Sequence, residues 1–274
     1  MASLLAVLHD KMDFGTLMIR KDDFIFSAGI YLKKILVFFD IRLWHVRRKM
    51  HTLVKEGQGE SLYIILNGPS LKKQDLTVLE GKRTVFVNRG FMHSDYELLK
   101  PEYHVFVDKK MISGVWPLEW IDTIFKMSPQ TKIVFPIEWY TIPKFNKYHN
   151  DDRFIWLPWH VPFKSLGVSG SCFSLGVFLK YSNIYFTGFD ANGIAYEMLN
   201  KSDSHFYGED PELKGRNAEG FSLALYLHSR QLHDLTRLSS YLAKKKIRVF
   251  NMTEGGMLDM FERVNMLPLV SENT

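Results

Sequence analysis

The chain has 274 residues, 46% hydrophobic and 24% charged, a composition that supports a full core and excludes wholesale disorder. A net charge of +5 with no basic groove pattern argues against a nucleic-acid partner. The single cysteine, Cys172, excludes an intramolecular disulfide, and no Cys/His cluster has zinc spacing, so we predict no metal site.

Residues 1–60 differ from the rest and are predicted to form a basic, amphipathic helical extension. Seven basic residues and one acidic residue, Asp40, lie in the segment from Lys33 to Lys55. The net charge of this segment is therefore +6, and that of the rest of the chain is −1. Charged residues interrupt the apolar stretch 24–46 before it reaches the roughly 18–20 residues of a membrane span. We expect peripheral contact of residues 24–55 with an anionic membrane. The alternative is a helix packed on the protein's own core, with its basic side chains solvated.

Residues 61–270 are predicted to form one α/β domain. Short apolar runs separated by helical stretches favour a Rossmann-like, mostly parallel sheet with helices on both faces. The predicted strands are 62–66, 84–88, 103–107, 132–135, 153–157, 183–187 and 247–250, and the predicted helices are 117–127, 171–181, 217–244 and 256–264.

Polar residues follow the carboxyl ends of these strands, where parallel sheets bind ligands. They are Asn67, Gly68 and Ser70 after the first strand, Asn88 after the second, Asp108 after the third, and Asp190, with Tyr196 beyond it, after 183–187. Ser169 and Gly170 precede an apolar helix for which Ser171 is the predicted N-cap. This edge suits a nucleotide, although the Walker and Gly-x-Gly-x-x-Gly spacings are absent.

Residues 200–216 form a long polar insert that suggests a lid over the site. His205 lies in it, flanked by Ser204 and Phe206. A lone loop histidine is more often a solvated surface side chain than a catalytic group.

Matching residues are spread from 62 to 263, and six short motifs among them together resemble, in their order, the bacterial sialyltransferases of glycosyltransferase family 42. They are Asn67-Gly68-Pro69-Ser70-Leu71, Val87-Asn88-Arg89-Gly90-Phe91, Ser169-Gly170, Ile184-Tyr185-Phe186-Thr187-Gly188-Phe189-Asp190, Asn192-Gly193 with Tyr196, and Asp203-Ser204-His205-Phe206-Tyr207-Gly208. The chain departs from the family by lacking a second tyrosine after Asp190 and an arginine before Ser169.

The resemblance implies an inverting, metal-independent transfer of an acidic nonulosonic sugar from a CMP-sugar donor to a surface glycan or glycolipid, as in lipopolysaccharide or capsule synthesis. It implies His205 as the catalytic base and Tyr196 as the contact to the donor phosphate. The implied donor-binding residues are Asn67, Gly68, Ser70, Asn88, Asp108, Ser169, Gly170 and Asp190. No cofactor is expected beyond the donor substrate.

Two other functions stay open at this point. One is a diphosphokinase of the pterin type, which shares a Gly-Pro-Ser-Leu turn but needs acidic metal ligands. The other is a membrane-docked, non-catalytic binding subunit. The expected location is cytoplasmic and peripheral, at the inner face of the cell membrane, and the sequence leaves open a homo-oligomer.

Overall fold

A computed structural model describes residues 39–54, 56–158, 161–163, 166–199, 201, 203–209 and 218–266, together with 28, 32 and 35. The chain divides into two units, Met1–Trp44 and His45–Thr274. Most of the predicted extension, and residues 200, 202 and 210–216 of the predicted lid, lie outside the described residues. The predicted boundary at residue 60 and the lid therefore stay predictions.

A single parallel sheet forms the centre of the second unit. Within the described residues its eight strands lie in the order β5-β4-β3-β2-β1-β6-β7-β8, and every neighbouring pair is parallel. The strands are β1 (Ser61–Ile65), β2 (Thr84–Val87), β3 (Tyr103–Val105), β4 (Lys132–Pro136), β5 (Phe154–Leu157), β6 (Asn183–Thr187), β7 (Arg248–Asn251) and β8 (Glu262–Arg263). The prediction of a parallel α/β sheet is confirmed.

Helices and short 3₁₀ turns connect the strands. The α-helices are α1 (Trp44–Thr52), α2 (Tyr96–Leu99), α3 (Lys110–Ser113), α4 (Glu119–Met127), α5 (Gly167–Leu179), α6 (Gly193–Met198) and α7 (Ala218–Lys244). The 3₁₀ helices are Ile41–Leu43, Pro69–Lys73, Leu76–Leu79, Asn88–Met92, Ile137–Thr141 and Pro143–Tyr148.

Helix α5 packs directly onto the centre of the sheet. An added Cβ at Gly176 would lie 2.6 Å from Cδ1 of Ile184, so glycine at this position lets the helix backbone approach β6 closely. Phe173 of the same helix meets Phe186 edge-to-face, with ring centroids 6.0 Å apart. These contacts explain why a helix with no polar face is favoured here, since it is buried almost all round.

The strand order places a switch point between β1 and β6. The chain moves outward from β1 to β5 and then returns to pair β6 with the other side of β1. Crevices at the carboxyl ends of strands beside such a reversal are the usual ligand sites of open α/β sheets. The polar turns after β1 and β6 meet at this point.

Two local predictions are wrong. The segment 256–264 is not a helix: Leu258 and Phe261 are buried at helical spacing, but the chain runs through a turn into the short strand β8. Gly255 and Gly256 have φ values of 72° and 73°, which favour a turn. Ser171 is not an N-cap, because α5 begins at Gly167 and Ser171 lies inside it.

The described residues of the first unit include several exposed apolar side chains. Residues 32, 35 and 39 are helical, and the exposed fractions of Leu32, Ile35 and Phe39 are 59%, 51% and 73%. Ile41 and Trp44 are also exposed. Among the described residues, no helix has both the length and the apolarity needed to cross a membrane.

Candidate active site

The turns after β1 and β6 are in direct backbone contact at the switch point. The amide of Gly68 donates to the carbonyl of Gly188 at 2.8 Å. A Cβ on Gly68 would lie 1.8 Å from Oδ2 of Asp190 and 2.5 Å from the carbonyl oxygen of Gly188. Glycine is therefore required at position 68, because any side chain would force the two turns apart.

The carboxylate of Asp190 closes this junction by capping the 3₁₀ helix Pro69–Lys73. Its Oδ1 accepts from the amide of Ser70 at 3.2 Å, and its Oδ2 accepts from the Ser70 hydroxyl at 2.9 Å. Both residues are buried. Burial raises the pKa of Asp190, and the two hydrogen bonds from Ser70 oppose that rise. The hydroxyl and amide of Ser70 are thus engaged with Asp190.

Two asparagine side chains lie next to this junction, at the carboxyl ends of β1 and β2. The Asn67 amide group donates from Nδ2 to the carbonyl of Val87 at 3.2 Å, which fixes the direction of its Oδ1. Among the described residues, Oδ1 of Asn67 and Oδ1 of Asn88 are buried and have no hydrogen-bond partner. Two adjacent buried acceptors of this kind indicate a place where a ligand's N–H or O–H groups could bind.

A buried relay holds Asn88 in an uncommon backbone conformation, with φ at 49°. Nε2 of His104 lies 2.9 Å from the Asn88 carbonyl oxygen, and Nδ1 lies 2.9 Å from the Tyr96 hydroxyl. Because a carbonyl only accepts, Nε2 carries the proton and the Tyr96 hydroxyl donates to Nδ1. Complete burial lowers the pKa of His104 to about 3, so this ring is neutral at physiological pH.

The segment 203–209 is anchored to the same edge of the sheet. The amide of Phe206 donates to the carbonyl of Asn67 at 3.0 Å, which places the neighbouring His205 beside the turn after β1. Nδ1 of His205 is 3.3 Å from the Ser204 hydroxyl, and its ring stacks on Tyr207 with centroids 4.9 Å apart and planes 7° apart. A backbone bond from Gly208 to His205 tightens this turn.

Arg89 is a functional candidate that the sequence alone does not indicate. Its Cζ lies 5.6 Å from the Trp116 ring, 5.7 Å from Trp120 and 5.5 Å from Tyr207. Arg89 was visible in the Val87–Phe91 motif, but the three rings come from distant parts of the chain. No local pattern therefore marked it as enclosed.

A pocket of about 320 Å³ opens between these turns. Its walls come from the 3₁₀ helix after β1, the segment that follows Asn88, and the anchored loop. The lining residues are Leu71, Lys72, Gln74, Met92, His93, Ser94, Asp95, Phe206 and Tyr207. Two of the lining residues, Phe206 and Tyr207, directly follow His205 in the sequence. The lining contains both aromatic and polar side chains, a combination that suits a sugar or a nucleoside.

The other predicted site residues are not joined to this cluster. Asp108 caps the start of α3, accepting from the amide of Lys110 at 2.9 Å. Ser169 and Gly170 are buried inside α5, and the Ser169 hydroxyl donates to the Leu166 carbonyl. Among the described residues, no hydrogen bond or ring contact links the Tyr196 side chain to Asn67 or Asp190. The binding roles of all the predicted site residues stay predictions.

No group of three or more histidine, cysteine, aspartate or glutamate side chains suited to a metal ion is found among the described residues. The two predicted acidic site residues, Asp108 and Asp190, are both engaged in capping their neighbouring turns.

No protein-family model matches the chain, and no curated protein matches it by sequence. Solved structures of sialyltransferases do match. One is the sialyltransferase CST-II in complex with a trisaccharide acceptor and CMP, 16% identical, with a TM-score of 0.44 over 74% of this chain and 85% of that one. CstII from Campylobacter jejuni in complex with CMP is 15% identical, with a TM-score of 0.46 over 79% of this chain and 88% of that one. The structure of the same protein in complex with CMP-3FNeuAc is 15% identical, with a TM-score of 0.45 over 74% of this chain and 85% of that one. The chain is thus similar in structure to these sialyltransferases.

Proposed function

We propose that the chain is a glycosyltransferase that moves an acidic nonulosonic sugar, such as sialic acid, from a CMP-linked donor to a glycan or glycolipid acceptor. The observation that carries this proposal is the backbone bond from Phe206 to Asn67. It brings His205, a base suited to neutral pH, to the carboxyl edge of the sheet beside two buried asparagine oxygens without partners. This arrangement supports the proposal, because catalysis requires a nucleophile-activating group next to a ligand-binding edge.

In the proposed reaction, His205 acts as general base. A tautomer whose Nδ1–H donates to the Ser204 hydroxyl has its basic lone pair on Nε2. Nε2 takes the proton of the acceptor hydroxyl while that oxygen forms a bond to the anomeric carbon. The bond from that carbon to the phosphate oxygen breaks at the same time, and CMP leaves with the electron pair. Attack opposite the leaving group inverts the anomeric centre.

Asn67 and Asn88 are proposed to hold the donor through their buried carbonyl oxygens, which can accept from an amino group of cytosine or from sugar hydroxyls. Gly68, Ser70 and Asp190 contribute by shaping the turn, since the Ser70 donors already bind Asp190. Contact to the leaving phosphate is assigned to Tyr196. Asp108, Ser169 and Gly170 remain donor-binding candidates from the resemblance alone.

Residues 24–55 are proposed to hold the enzyme at an anionic membrane, where a glycolipid acceptor would be reached. This proposal is supported by the exposed Leu32, Ile35 and Phe39, spaced by three and four residues in helical conformation. The +6 charge of the surrounding sequence adds attraction to acidic lipid. Such contact would be peripheral.

The test is a donor screen, in which the purified chain is incubated with several CMP-sugars and a glycan acceptor and the products are measured by mass spectrometry. We expect transfer from CMP-sialic acid or a related CMP-nonulosonic acid, and equal transfer in the presence of EDTA. Pyrophosphoryl transfer from ATP that requires added magnesium would instead support the diphosphokinase. Failure of calorimetric titration to detect CMP binding would support the non-catalytic subunit.

A further inference from the structure

His93 is a fixed hydrogen-bond donor in one wall of the 320 Å³ pocket. Its Nδ1 accepts from the amide of Asp95 at 3.2 Å. A neutral histidine carries one ring proton, so that proton lies on Nε2. Burial lowers the pKa of His93, although the Asp95 carboxylate opposes this effect, so the neutral ring is favoured. Within the part of the chain that the structure describes, Nε2 has no hydrogen-bond partner.

The carboxylate of Asp95 does not cap the helix that it precedes. Asp95 is the N-cap of α2, where an aspartate usually accepts from a backbone amide of the first turn, but its side chain makes no such bond. Its Oδ1 instead accepts from the Ser94 hydroxyl at 3.2 Å, and its Oδ2 lies 3.8 Å from Nδ1 of His93. Because a carboxylate has about four acceptor positions, most of its capacity is left for a ligand.

Phe206 connects this wall of the pocket to the proposed base. Its ring centroid lies 5.1 Å from that of His93, and its amide donates to the Asn67 carbonyl. Because Phe206 directly follows His205, a ligand in the pocket lies next to the base. Asn67 and Asn88, which are proposed to hold the donor, are not among the lining residues. The pocket therefore suits the second substrate better than the donor.

We propose that this pocket is the acceptor subsite and that it binds a neutral sugar unit. This inference rests on the proposed function. The Asp95 carboxylate accepts from sugar hydroxyls, and the Nε2–H of His93 donates to another hydroxyl oxygen. Phe206 packs against the C–H face of the sugar ring. A few placed polar groups beside an aromatic wall are the usual composition of a small-molecule site.

The charges of the lining favour a neutral sugar over an acidic one. Asp95 is mostly enclosed, with 24% of its side chain exposed, and it would repel a carboxylate or a phosphate. Lys72 also lines the pocket, but it is exposed, so solvent and salt screen its charge more strongly. His93 is favoured in its neutral form and therefore does not offset the charge of Asp95.

The experiment measures kcat and KM of the full chain for transfer from CMP-sialic acid to pairs of methyl glycosides. Galactose is paired with galacturonic acid, and glucose with glucuronic acid, so that each pair differs by one carboxylate. We expect a lower KM for the neutral member. Asp95→Asn should raise that KM by about 10- to 100-fold, because hydrogen bonds to a charged group are the strong ones. The KM for the donor and the affinity for CMP should be unchanged, which also shows that the variant is folded.

His93→Gln is the second variant, and it reports on the proposal if Asp95→Asn does not fold. It should raise the KM for the neutral acceptor by about 2- to 10-fold, the effect of one hydrogen bond between neutral groups. Glu97→Gln is a matched control, because it removes the same charge two residues further along the chain, at an exposed position of α2. It should leave the KM values for donor and acceptor unchanged.

An acceptor KM that Asp95→Asn does not change would overturn the proposal. An equal rise in the KM for the donor would also overturn it, by showing that the pocket holds the donor. A wild type that binds CMP but prefers the acidic glycosides, or uses neither neutral one, would contradict the neutral class of acceptor. If the wild type neither binds CMP nor transfers sugar, the proposed function itself fails.

Discussion

Replacing Asp190 with alanine should destabilise the fold substantially, because its carboxylate joins the two turns at the switch point. The change removes the acceptors of the Ser70 amide and hydroxyl. Both residues are buried: the exposed fraction is 8% for Ser70 and 7% for Asp190. Each buried donor left without a partner costs about 1–3 kcal/mol. Relief from burying a carboxylate offsets part of this, so we expect a loss of about 2–4 kcal/mol in the free energy of unfolding, measured by urea denaturation.

Asp75→Ala is the matched control for this measurement. Asp75 accepts from the amide and the hydroxyl of Thr77, the same two kinds of donor that Ser70 offers to Asp190, but at an exposed position. Its loss should be much smaller, since water replaces the carboxylate there. A loss of unfolding free energy below about 1 kcal/mol for Asp190→Ala, or an equal loss for both variants, would refute the claim that the Asp190 carboxylate holds the two turns together.

Asp190→Asn adds a test of the charge. Burial raises the pKa of Asp190 in the folded state above its unfolded value, so the folded protein binds this proton more tightly. The stability that this protonation contributes is present below the unfolded pKa and is lost as pH rises through the folded pKa. The wild type should therefore lose stability relative to Asp190→Asn across that window. A difference between the two proteins that is constant with pH would contradict the burial of this charge.

Three further predictions concern the site and the extension. Gly68→Ala should abolish CMP binding in calorimetry, because its Cβ would meet Asp190 at 1.8 Å; retained affinity would show that the junction is not part of the site. His104→Phe should raise the KM for the donor about tenfold with a smaller effect on kcat, since it removes the hydrogen bond to the Asn88 carbonyl. An unchanged KM would show that this hydrogen bond does not help to position the donor. In flotation assays the full chain should bind anionic but not neutral vesicles, with binding lost in high salt or on deletion of residues 1–56. Equal binding to both vesicle types would refute electrostatic docking.

The sheet and its polar edge could be predicted from the sequence because both depend on local patterns. Continuous apolar runs mark strands buried on both faces, and turn residues such as Gly68 and Asn88 mark where those strands end. Parallel pairing then places all such turns at one edge. Asn67, Asn88 and Asp190 are therefore predictable from the sequence without the strand order.

What the sequence did not reveal depends on contacts between distant residues. Ser70 and Asp190 are 120 positions apart, and their hydrogen bonds give Ser70, a predicted donor-binding residue, a structural role that no local pattern indicates. The rings around Arg89 lie 27, 31 and 118 positions away along the chain, so no local window contains all three.

The false helix at 256–264 has a different origin. Leu258 and Phe261 are three residues apart and both are buried, as helical spacing would require, yet they pack from a turn. The Arg263 guanidinium stabilises that turn by donating to the carbonyls of Thr253, Gly255 and Gly256. Periodicity alone cannot distinguish two buried turn residues from one face of a short helix.

The most direct test of the account is the rate of sugar transfer from CMP-sialic acid by His205→Ala, measured by mass spectrometry alongside CMP affinity. If His205 is the general base, the variant should bind CMP as the wild type does and transfer sugar about 10²- to 10⁴-fold more slowly. Retention of more than about a tenth of the wild-type rate, with CMP affinity intact, would contradict the assignment of His205 as the base.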